Sequence, residues 1–273
     1  MTSTTQAGIG VIGGTGFYSF LTDPTEVTVS TPYGDPSGPV TVGEVNGRAV
    51  AFLPRHGVDH QFPPHKVNYR ANLWALRSVG VRQVLTPCAV GSLKPEITPG
   101  TFVVPDQVVD RTWGRAHTFF DEVGAVVHVG LADPYCPHGR AALLAAIGEG
   151  AVDGGTLVVV NGPRFSTRAE SQWHAAQGWS VVGMTGMPET ALARELGLCC
   201  STVAVATDHD AGVEGGEAVS HREVMKIFGA NIERLKSVLS AVITALPDDQ
   251  PDDAATCSCR RALDGQRLPL ALP

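Results

Sequence analysis

A cluster of ionisable side chains ends the apolar segment STVAVATDHDAG, residues 201–212. The run rich in valine and alanine predicts a buried strand, and Asp208, His209 and Asp210 follow at its end. Ionisable groups are costly to place beside a buried strand. Proton transfer, a metal ion and no particular chemistry are the alternatives; we do not favour a metal, because the carboxylates have no evident further ligand.

Several turns at the ends of predicted strands carry hydrogen-bond donors for an anion. FLPRHG places Arg55 and His56 at a strand terminus, where a guanidinium can bind two phosphate oxygens and an imidazole can donate one more hydrogen bond. The turns GGTG, TPCAVGSL and GMTGMPET expose backbone amides, and Thr15 and Thr185 add hydroxyl groups. Together they predict a phosphate or similar anion at one edge of a sheet, although each alone is compatible with an ordinary turn. The chain contains no G-K-[ST], so this is not a P-loop.

Two further motifs are less specific. G-x-G-x-x-G occurs at Gly8, Gly10 and Gly13, but these glycines fall inside the predicted strand and no crossover helix follows. This context disfavours a nicotinamide or nucleotide-sugar oxidoreductase. NGPRFSTRAES predicts a strand-to-helix loop in which Phe165 either stacks on a flat ring or fills the core.

The elements that must position these residues alternate between strands and helices. Apolar runs predict strands at residues 9–12, 48–53, 82–88, 101–109, 156–161, 180–184 and 200–207. Helical spacing and end signals predict helices in KVNYRANLWALRSVG, TRAESQWHAAQG, PETALARELG and SHREVMKIFGANIERLKSVLSAVITAL, with capping boxes at Thr167/Glu170 and Ser220/Glu223. The predicted fold class is α/β, with a mixed, mostly parallel central sheet flanked by helices. We expect a single domain over residues 1–247 and an acidic linker and C-terminal tail over 248–273.

The composition is that of a globular protein. The 273 residues are 43% hydrophobic and carry a formal net charge of −7, which argues against a nucleic-acid surface. No run approaches 18 apolar residues, and the start lacks the basic region of a signal peptide. We therefore expect a cytoplasmic protein with neither a nucleic-acid nor a membrane partner.

The six cysteines are too few to form a disulfide framework in a chain of this length. Cys199 and Cys200 lie beside an apolar run and are expected in the core. Cys257 and Cys259 lie in the tail; without a second pair at zinc-finger spacing we predict no metal site there, and a local redox pair is the alternative.

Seven motifs occur in a specific order between about residues 8 and 245: GVIGGTGF, PRHG, PPHKVNYRANLWAL, AVGSL, GPRFSTRAES, MTGMPE and ATDHD. In this combination the chain resembles the methylthioadenosine phosphorylase family of the trimeric purine nucleoside phosphorylase superfamily. The resemblance implies a purine nucleoside phosphorylase-like fold and a homotrimer or dimer of trimers. It also implies a nucleoside and inorganic phosphate as substrates, with no cofactor.

The resemblance implies a role for each site residue. Phosphate would be held by Thr15, Arg55, His56, the amide of Ala89, and Thr185. The nucleoside would be bound by the Met184 backbone at the ribose, Phe165 at the purine and sugar, and Asp208 and Asp210 at the base. His128 and part of the tail would reach a neighbouring subunit's pocket.

The implied reaction is phosphorolysis. Phosphate attacks the anomeric carbon as the bond to purine N9 breaks, through a cationic sugar. The leaving purine needs a proton at N7, and Asp208, its pKa raised by burial, is expected to donate it, with Asp210 as the second catalytic residue. A carboxylate also accepts from an exocyclic amine, which favours adenine. The expected substrate is 5′-methylthioadenosine or a related 5′-substituted 5′-deoxyadenosine, with adenosine included.

Two alternatives accompany this reading. A phosphorylase of 6-oxopurine nucleosides has the same fold, but related phosphorylases of that kind carry asparagine at the position of Asp208. A nucleoside-binding regulator would keep the pocket without turnover.

Three residues depart from the family pattern or set specificity within it. Cys88 stands where members often have a phosphate-binding threonine, so one hydroxyl donor is missing. His221 stands where methylthio-selective members have a small apolar residue, and Ser166 occupies the other position linked to selectivity. We therefore expect a broadened pocket for the 5′ substituent.

Overall fold

Thirteen strands and five α-helices form in the residues that the structure, a computed structural model, describes: 6–14, 16–17, 20–124, 126–213, 219–247 and 257–273. The strands are β1 Ile9–Gly13, β2 Thr22–Val27, β3 Val40–Val45, β4 Arg48–Pro54, β5 Gln83–Leu85, β6 Cys88–Ser92, β7 Phe102–Val104, β8 Gln107–Arg111, β9 Val152–Asp153, β10 Thr156–Val160, β11 Val181–Gly183, β12 Cys199–Ser201 and β13 Ala204–His209. The helices are α1 Tyr69–Ser78, α2 Pro137–Ile147, α3 Arg168–Ala176, α4 Gly186–Glu195 and α5 His221–Ala245. Within these residues no helix combines the length and apolar character needed to cross a membrane.

The strands form two mixed sheets. The first has the order β12-β5-β1-β4-β3-β2 and the second β8-β10-β11-β6-β13-β7-β9. Seven of the eleven strand pairs in the described residues are parallel. This confirms the predicted mixed, mostly parallel α/β class, although the strands divide between two sheets where the prediction has one.

Three apolar runs predicted as single strands each form two. Residues 82–88 divide into β5 and β6, and residues 200–207 into β12 and β13. In each case the first strand belongs to the first sheet and the second to the second sheet, so the chain crosses between sheets twice, side by side. Residues 101–109 divide into β7 and β8 around Pro105, which cannot donate a ladder hydrogen bond. The crossings bring β6 and β13 together as parallel neighbours.

Helices cover the sheets through apolar side chains. Leu73 and Leu76 of α1 pack with Leu192 of α4 in the core beside the first sheet. Leu143 of α2 packs with Leu235 of α5 in a second core cluster. Of these helices, α2 is not predicted from the sequence.

The predicted helix ends are partly confirmed. The Thr167 hydroxyl accepts from the Glu170 amide at 3.2 Å and the Glu170 carboxylate accepts from the Thr167 amide at 2.8 Å, which forms the predicted capping box. At α5 the predicted box is wrong, because Ser220 makes no side-chain capping hydrogen bond. Gly80, after α1, has φ of 97°, which fits its predicted role as a helix stop.

The end of the chain packs on the body. Leu270 and Leu272 lie against the core cluster of the first sheet, and Cys257 and Cys259 are buried.

Candidate active site

A cavity of about 360 Å³ collects most of the predicted site residues. Its volume is in the range of small-molecule sites. The predicted residues that line it are Arg55, His56, Ala89, Phe165, Ser166, Met184, Thr185, Asp208, Asp210 and His221. Thr15 lies outside the described residues, although its neighbour Gly14 lines the cavity.

His128 does not line this cavity. Its amide donates to the Gln266 side-chain carbonyl at 2.8 Å, and the Gln266 amide donates back to the His128 carbonyl. Within one chain, His128 is thus joined to the C-terminal tail.

Asp208 reaches the cavity through an irregularity in β13. Ala206 pairs with Val90 and Asp208 with Gly91, so Thr207 is an extra residue in the strand. Such a bulge redirects the side chains that follow it. A Cβ on Gly91 would lie 3.1 Å from Asp208 Oδ1 and 3.3 Å from the Asp210 Cβ, so glycine gives both acids room against the sheet.

Burial controls the protonation of Asp208. The Thr207 hydroxyl donates to Asp208 Oδ2 at 2.8 Å, which favours the charged form. Loss of water outweighs this hydrogen bond and, with the nearby Asp210, raises the pKa of Asp208 to about 6. The carboxyl group is thus poised to carry a proton near neutral pH.

Asp210 is more deeply buried. Its amide donates to the Ser92 carbonyl at 2.8 Å, which fixes the backbone, while its Oδ2 is buried without a hydrogen-bond partner in the described residues. A buried acceptor left unpaired is costly, so a ligand donor fits here. In the described part of the chain, Asp208, His209 and Asp210 do not bring three ligand atoms together around one point.

Another part of the cavity lining is organised by Arg55. Its Nε and Nη2 donate to the two carboxylate oxygens of Glu189 at 2.9 and 3.0 Å, in a buried pair between β4 and α4. Nη2 also donates to the Ile12 carbonyl at 2.8 Å and Nη1 to the Pro87 carbonyl at 3.2 Å. Burial alone would lower the pKa of Arg55, but Glu189 raises it above its ordinary value. The guanidinium fork, predicted to bind two phosphate oxygens, is therefore occupied by Glu189, and one N–H of Arg55 has no partner among the described residues.

His56 is neutral and has a fixed tautomer. Its Nδ1 lies 2.8 Å from the Phe62 carbonyl, which can only accept, so Nδ1 carries the proton. Burial, together with Arg55, lowers the pKa of His56 to about 4. The other ring nitrogen is therefore an acceptor, whereas the sequence predicts that His56 donates a hydrogen bond to the anion.

Groups that could donate to an anion lie on β6 and at the start of α4. Thr185 is the N-cap residue of α4, and its hydroxyl makes no capping hydrogen bond. The backbone of α4 is interrupted at Met187, which has φ of −122° and ψ of 135°, so the amides beside Thr185 belong to a turn rather than to a continuous helix N-terminus. Backbone amides in a turn can also donate to an anion. Among the described residues, β6 pairs with β11 only at Gly91 and Ser92. Ala89, earlier in β6, therefore has no backbone pairing partner on the side that faces β11. Burial raises the pKa of Cys88 to about 12, so this residue presents a neutral thiol.

Glu189 and Arg115 hold residues of the cavity lining in place and are not predicted from the sequence. Arg115 Nη2 donates to the carbonyls of Asn161 at 2.8 Å and Met184 at 2.9 Å, and its Nη1 donates to the Tyr69 hydroxyl at 3.2 Å. It thereby joins the loop before α3 to the loop before α4. Arg115 stands in no recognisable motif. Glu189 is the last residue of MTGMPE and lies in the first turn of α4, but the motif does not identify it as the partner of Arg55.

The start of α5 forms another wall of the cavity. His221 lines it together with Met225 and Phe228, and His60 also belongs to the lining. Burial lowers the pKa of His60, and the charge of nearby His221 adds to this effect. His60 also stacks on His56, with ring centroids 4.5 Å apart. This wall therefore combines imidazoles with a thioether and a phenyl ring.

Comparison with known proteins places the chain in a family. A family model described as the phosphorylase superfamily matches residues 8–244. The chain is 62% identical to a purine nucleoside phosphorylase of Streptomyces coelicolor, with 100% of both chains covered. It is 54% identical to an S-methyl-5′-thioadenosine phosphorylase of Mycobacterium tuberculosis, with 97% of both covered.

Solved structures agree with this placement. A methylthioadenosine phosphorylase from an antarctic soil metagenomic library has a TM-score of 0.86 at 38% identity, over 96% of this chain and 92% of that one. The Schistosoma mansoni methylthioadenosine phosphorylase in complex with tubercidin has a TM-score of 0.81 at 36% identity, over 88% and 91%. The chain belongs to the phosphorylase superfamily, as a member of its methylthioadenosine phosphorylase family.

Proposed function

We propose that the protein cleaves 5′-methylthioadenosine, a related 5′-substituted 5′-deoxyadenosine, or adenosine, with inorganic phosphate. The products are adenine and the corresponding ribose 1-phosphate. The observation that carries the proposal is one cavity in which Asp208, a carboxyl group of raised pKa, shares the lining with the anion donors of β6 and α4. The enzyme is then a pentosyltransferase that needs no cofactor, since phosphate is a co-substrate. We place it in the cytoplasm.

Phosphate binds between β6 and the start of α4. The Thr185 hydroxyl, the Ala89 amide and the remaining N–H of Arg55 donate to its oxygens, and Thr15 is expected to add a hydroxyl. His56, whose free ring nitrogen is an acceptor, accepts the O–H of hydrogenphosphate. This interaction orients the ionised oxygens toward the sugar, and such positioning is the main source of rate enhancement in this reaction class.

The base lies beside Asp208. The protonated carboxyl donates its proton to purine N7 while the C1′–N9 bond breaks and its electron pair moves to N9. A phosphate oxygen forms the new bond to C1′, and the proton lost by Asp208 leaves as part of neutral adenine. The carbonyl oxygen of the same group accepts from the 6-amino group, and Asp210 Oδ2 takes a second donor of the base.

The nucleoside sugar and its 5′ group lie between these two ends. The Met184 backbone, held by Arg115, contacts the ribose, and Phe165 lies against the purine and sugar. His221, with Ser166, Met225 and Phe228, surrounds the 5′ substituent. An imidazole among apolar side chains accommodates both a hydroxyl and a methylthio group.

A second candidate is phosphorolysis of 6-oxopurine nucleosides. The specific observation in its favour is the name purine nucleoside phosphorylase of the Streptomyces coelicolor relative. We favour adenine because the Asp208 carbonyl oxygen accepts from a 6-amino group, whereas a 6-oxo group would place a second acceptor against it.

The assembly that completes the site is a homotrimer or dimer of trimers. Trp113 is 74% exposed and Val126 is 78% exposed in the single chain, and Val126 is close in sequence to His128. Apolar side chains this exposed fit a subunit interface. A neighbouring copy would then bring His128 to the pocket.

A substrate panel tests the proposal. Purified protein is incubated with methylthioadenosine, adenosine and inosine, with and without phosphate, and free base and ribose 1-phosphate esters are measured. We expect phosphate-dependent release of adenine and little hypoxanthine. Release without phosphate would show a hydrolase, binding without turnover a regulator, and faster inosine cleavage the second candidate.

A further inference from the structure

Four buried cysteines converge away from the nucleoside cavity. The sulfur atoms of Cys136, Cys199, Cys257 and Cys259 all lie within 4.8 Å of one another, and Cys136 Sγ is 3.6 Å from Cys257 Sγ. None of the four lines the nucleoside cavity. Their side chains form a separate buried cluster of cysteines alone.

The four sulfurs come from three distant segments. Cys136 is the N-cap residue of α2, and Cys199 is the first residue of β12. Cys257 and Cys259 flank Ser258 at a 3-10 turn in the C-terminal tail. A search of the sequence for zinc-finger spacing does not find this cluster, because Cys136 and Cys199 are far apart in sequence and neither belongs to a C-x-C or C-x-x-C pair.

The spacing matches one tetrahedral ion. A zinc–sulfur distance of about 2.3 Å in a tetrahedron places neighbouring sulfurs about 3.8 Å apart. All four cysteines are free thiols and share one centre, rather than separating into two pairs. A set of four soft sulfur ligands selects zinc over calcium, magnesium or manganese.

The surroundings suit negatively charged sulfurs. Cys136 sits at the N-terminus of α2, where the helix dipole stabilises a thiolate, and its sulfur accepts from the Gly139 amide. The Cys257 sulfur accepts from the Cys259 amide and contacts the imidazole of His138. Outer hydrogen bonds of this kind are typical of metal-bound thiolates.

We propose that Cys136, Cys199, Cys257 and Cys259 bind one structural Zn²⁺ ion that fastens the C-terminal tail to the phosphorylase body. A closed four-sulfur site leaves no open position for a substrate, so the role is structural. The tail so held carries Gln266, the partner of His128. Cys200, next to Cys199, belongs to a different core cluster and is not a ligand.

Metal analysis of the full-length protein tests this proposal. The protein is purified under reducing conditions with zinc in the medium, and bound metal and free thiols are counted. We expect about one zinc per chain in the unaltered protein and in Cys200→Ser, and loss of zinc in Cys259→Ser. Replacement by Co²⁺ should give the thiolate charge-transfer and d–d bands of a tetrahedral tetrathiolate site.

Two results on the unaltered protein would overturn the proposal. One is a metal-free protein whose four thiols all react on denaturation. The other is a protein lighter by four hydrogen atoms, which shows two disulfides. Both measurements are independent of whether Cys259→Ser folds.

Discussion

At the scale of single residues, the proton on Asp208 dominates the chemistry. Burial raises the pKa of Asp208 to about 6, although the Thr207 hydroxyl opposes this shift. The acid form is the active one, because it donates to the leaving base. With nucleoside varied at saturating phosphate, kcat/KM should fall with rising pH above about 6, tenfold per pH unit.

The control for this pH profile is Asp208→Asn, which has no proton to lose. Its activity should be low and should lack the descending limb near pH 6. A limb of unchanged position in the variant would assign the titration to another group.

Asp208→Asn should also change base preference. Loss of general acid catalysis is expected to lower kcat/KM for adenine nucleosides by about 10²–10⁴-fold. The amide can pair with both O6 and N7–H, so inosine should gain relative to adenosine. Asp35→Asn, at an exposed carboxylate, is the matched control and should retain normal values for both. An adenosine-to-inosine ratio unaltered by Asp208→Asn would contradict the role of Asp208 at the base.

The same substitution should stabilise the fold. A pKa raised from 3.8 to about 6 means that the folded state holds the proton more tightly than the unfolded chain, so stability falls as pH rises through this window. The ionised Asp208 then costs at most about 3 kcal/mol at pH 7.5. Asp208→Asn should have the higher Tm at pH 7.5, with the difference shrinking toward pH 5. A lower Tm at both pH values would refute this.

Individual site residues differ in how well the sequence predicts them. Asp208 and Thr185 stand in recognisable motifs, and the structure brings both to the cavity. Glu189 and Arg115 form hydrogen bonds with residues far away in the sequence. Glu189 accepts from Arg55, and Arg115 donates to the Met184 carbonyl. Such pairings depend on tertiary packing, which no local pattern encodes.

At the scale of elements, the pair between Arg55 and Glu189 fastens β4 to α4. Removing one partner leaves a buried charge, so Arg55→Met should lower the free energy of unfolding by about 3–5 kcal/mol. The double variant Arg55→Met, Glu189→Met should regain most of this loss, while its KM for phosphate stays raised. Urea unfolding and phosphate kinetics measure the two effects. If the single and the double variant lost the same free energy of unfolding, the unpaired charge of Glu189 would not be the cause of the loss.

The close approach of β6 and β13 is a second property of elements. Gly91→Ala places a methyl group 3.1 Å from Asp208 Oδ1, so the carboxyl must move. We expect kcat/KM to fall about 10-fold or more, because small misplacements of a catalytic group are costly. Gly229→Ala is the control, since a Cβ there meets nothing within 4 Å. Equal effects of the two substitutions would contradict this view of Gly91.

Elements whose ends carry a local sequence signal are predictable. Strands whose ends are determined by where the chain crosses from one sheet to the other are not. The capping box of Thr167 and Glu170 is local, and α3 begins where it predicts. The division of residues 200–207 into β12 and β13 depends on which sheet each half joins. Both halves are apolar and buried, so hydropathy gives no sign of the break.

At the scale of the whole molecule, the sequence predicts the α/β class and most of the strands, but not the two-sheet arrangement. The expected division at residue 247 is based on composition. In the structure, residues 257–273 pack on the body through Cys257, Cys259 and Leu270. The acidic linker that precedes the tail gives no indication of such packing, because the residues that the tail contacts lie far away in the sequence.

The central claim is that a proton-bearing Asp208 and an anion site share one cavity and hold a nucleoside between them. A crystal structure with adenine and sulfate tests it most directly. We predict adenine N7 at hydrogen-bond distance, about 2.6–3.2 Å, from the Asp208 carboxyl, and sulfate at Thr185 and the start of α4. Adenine bound away from Asp208, or sulfate absent from α4 in a crystal that contains adenine, would contradict the account.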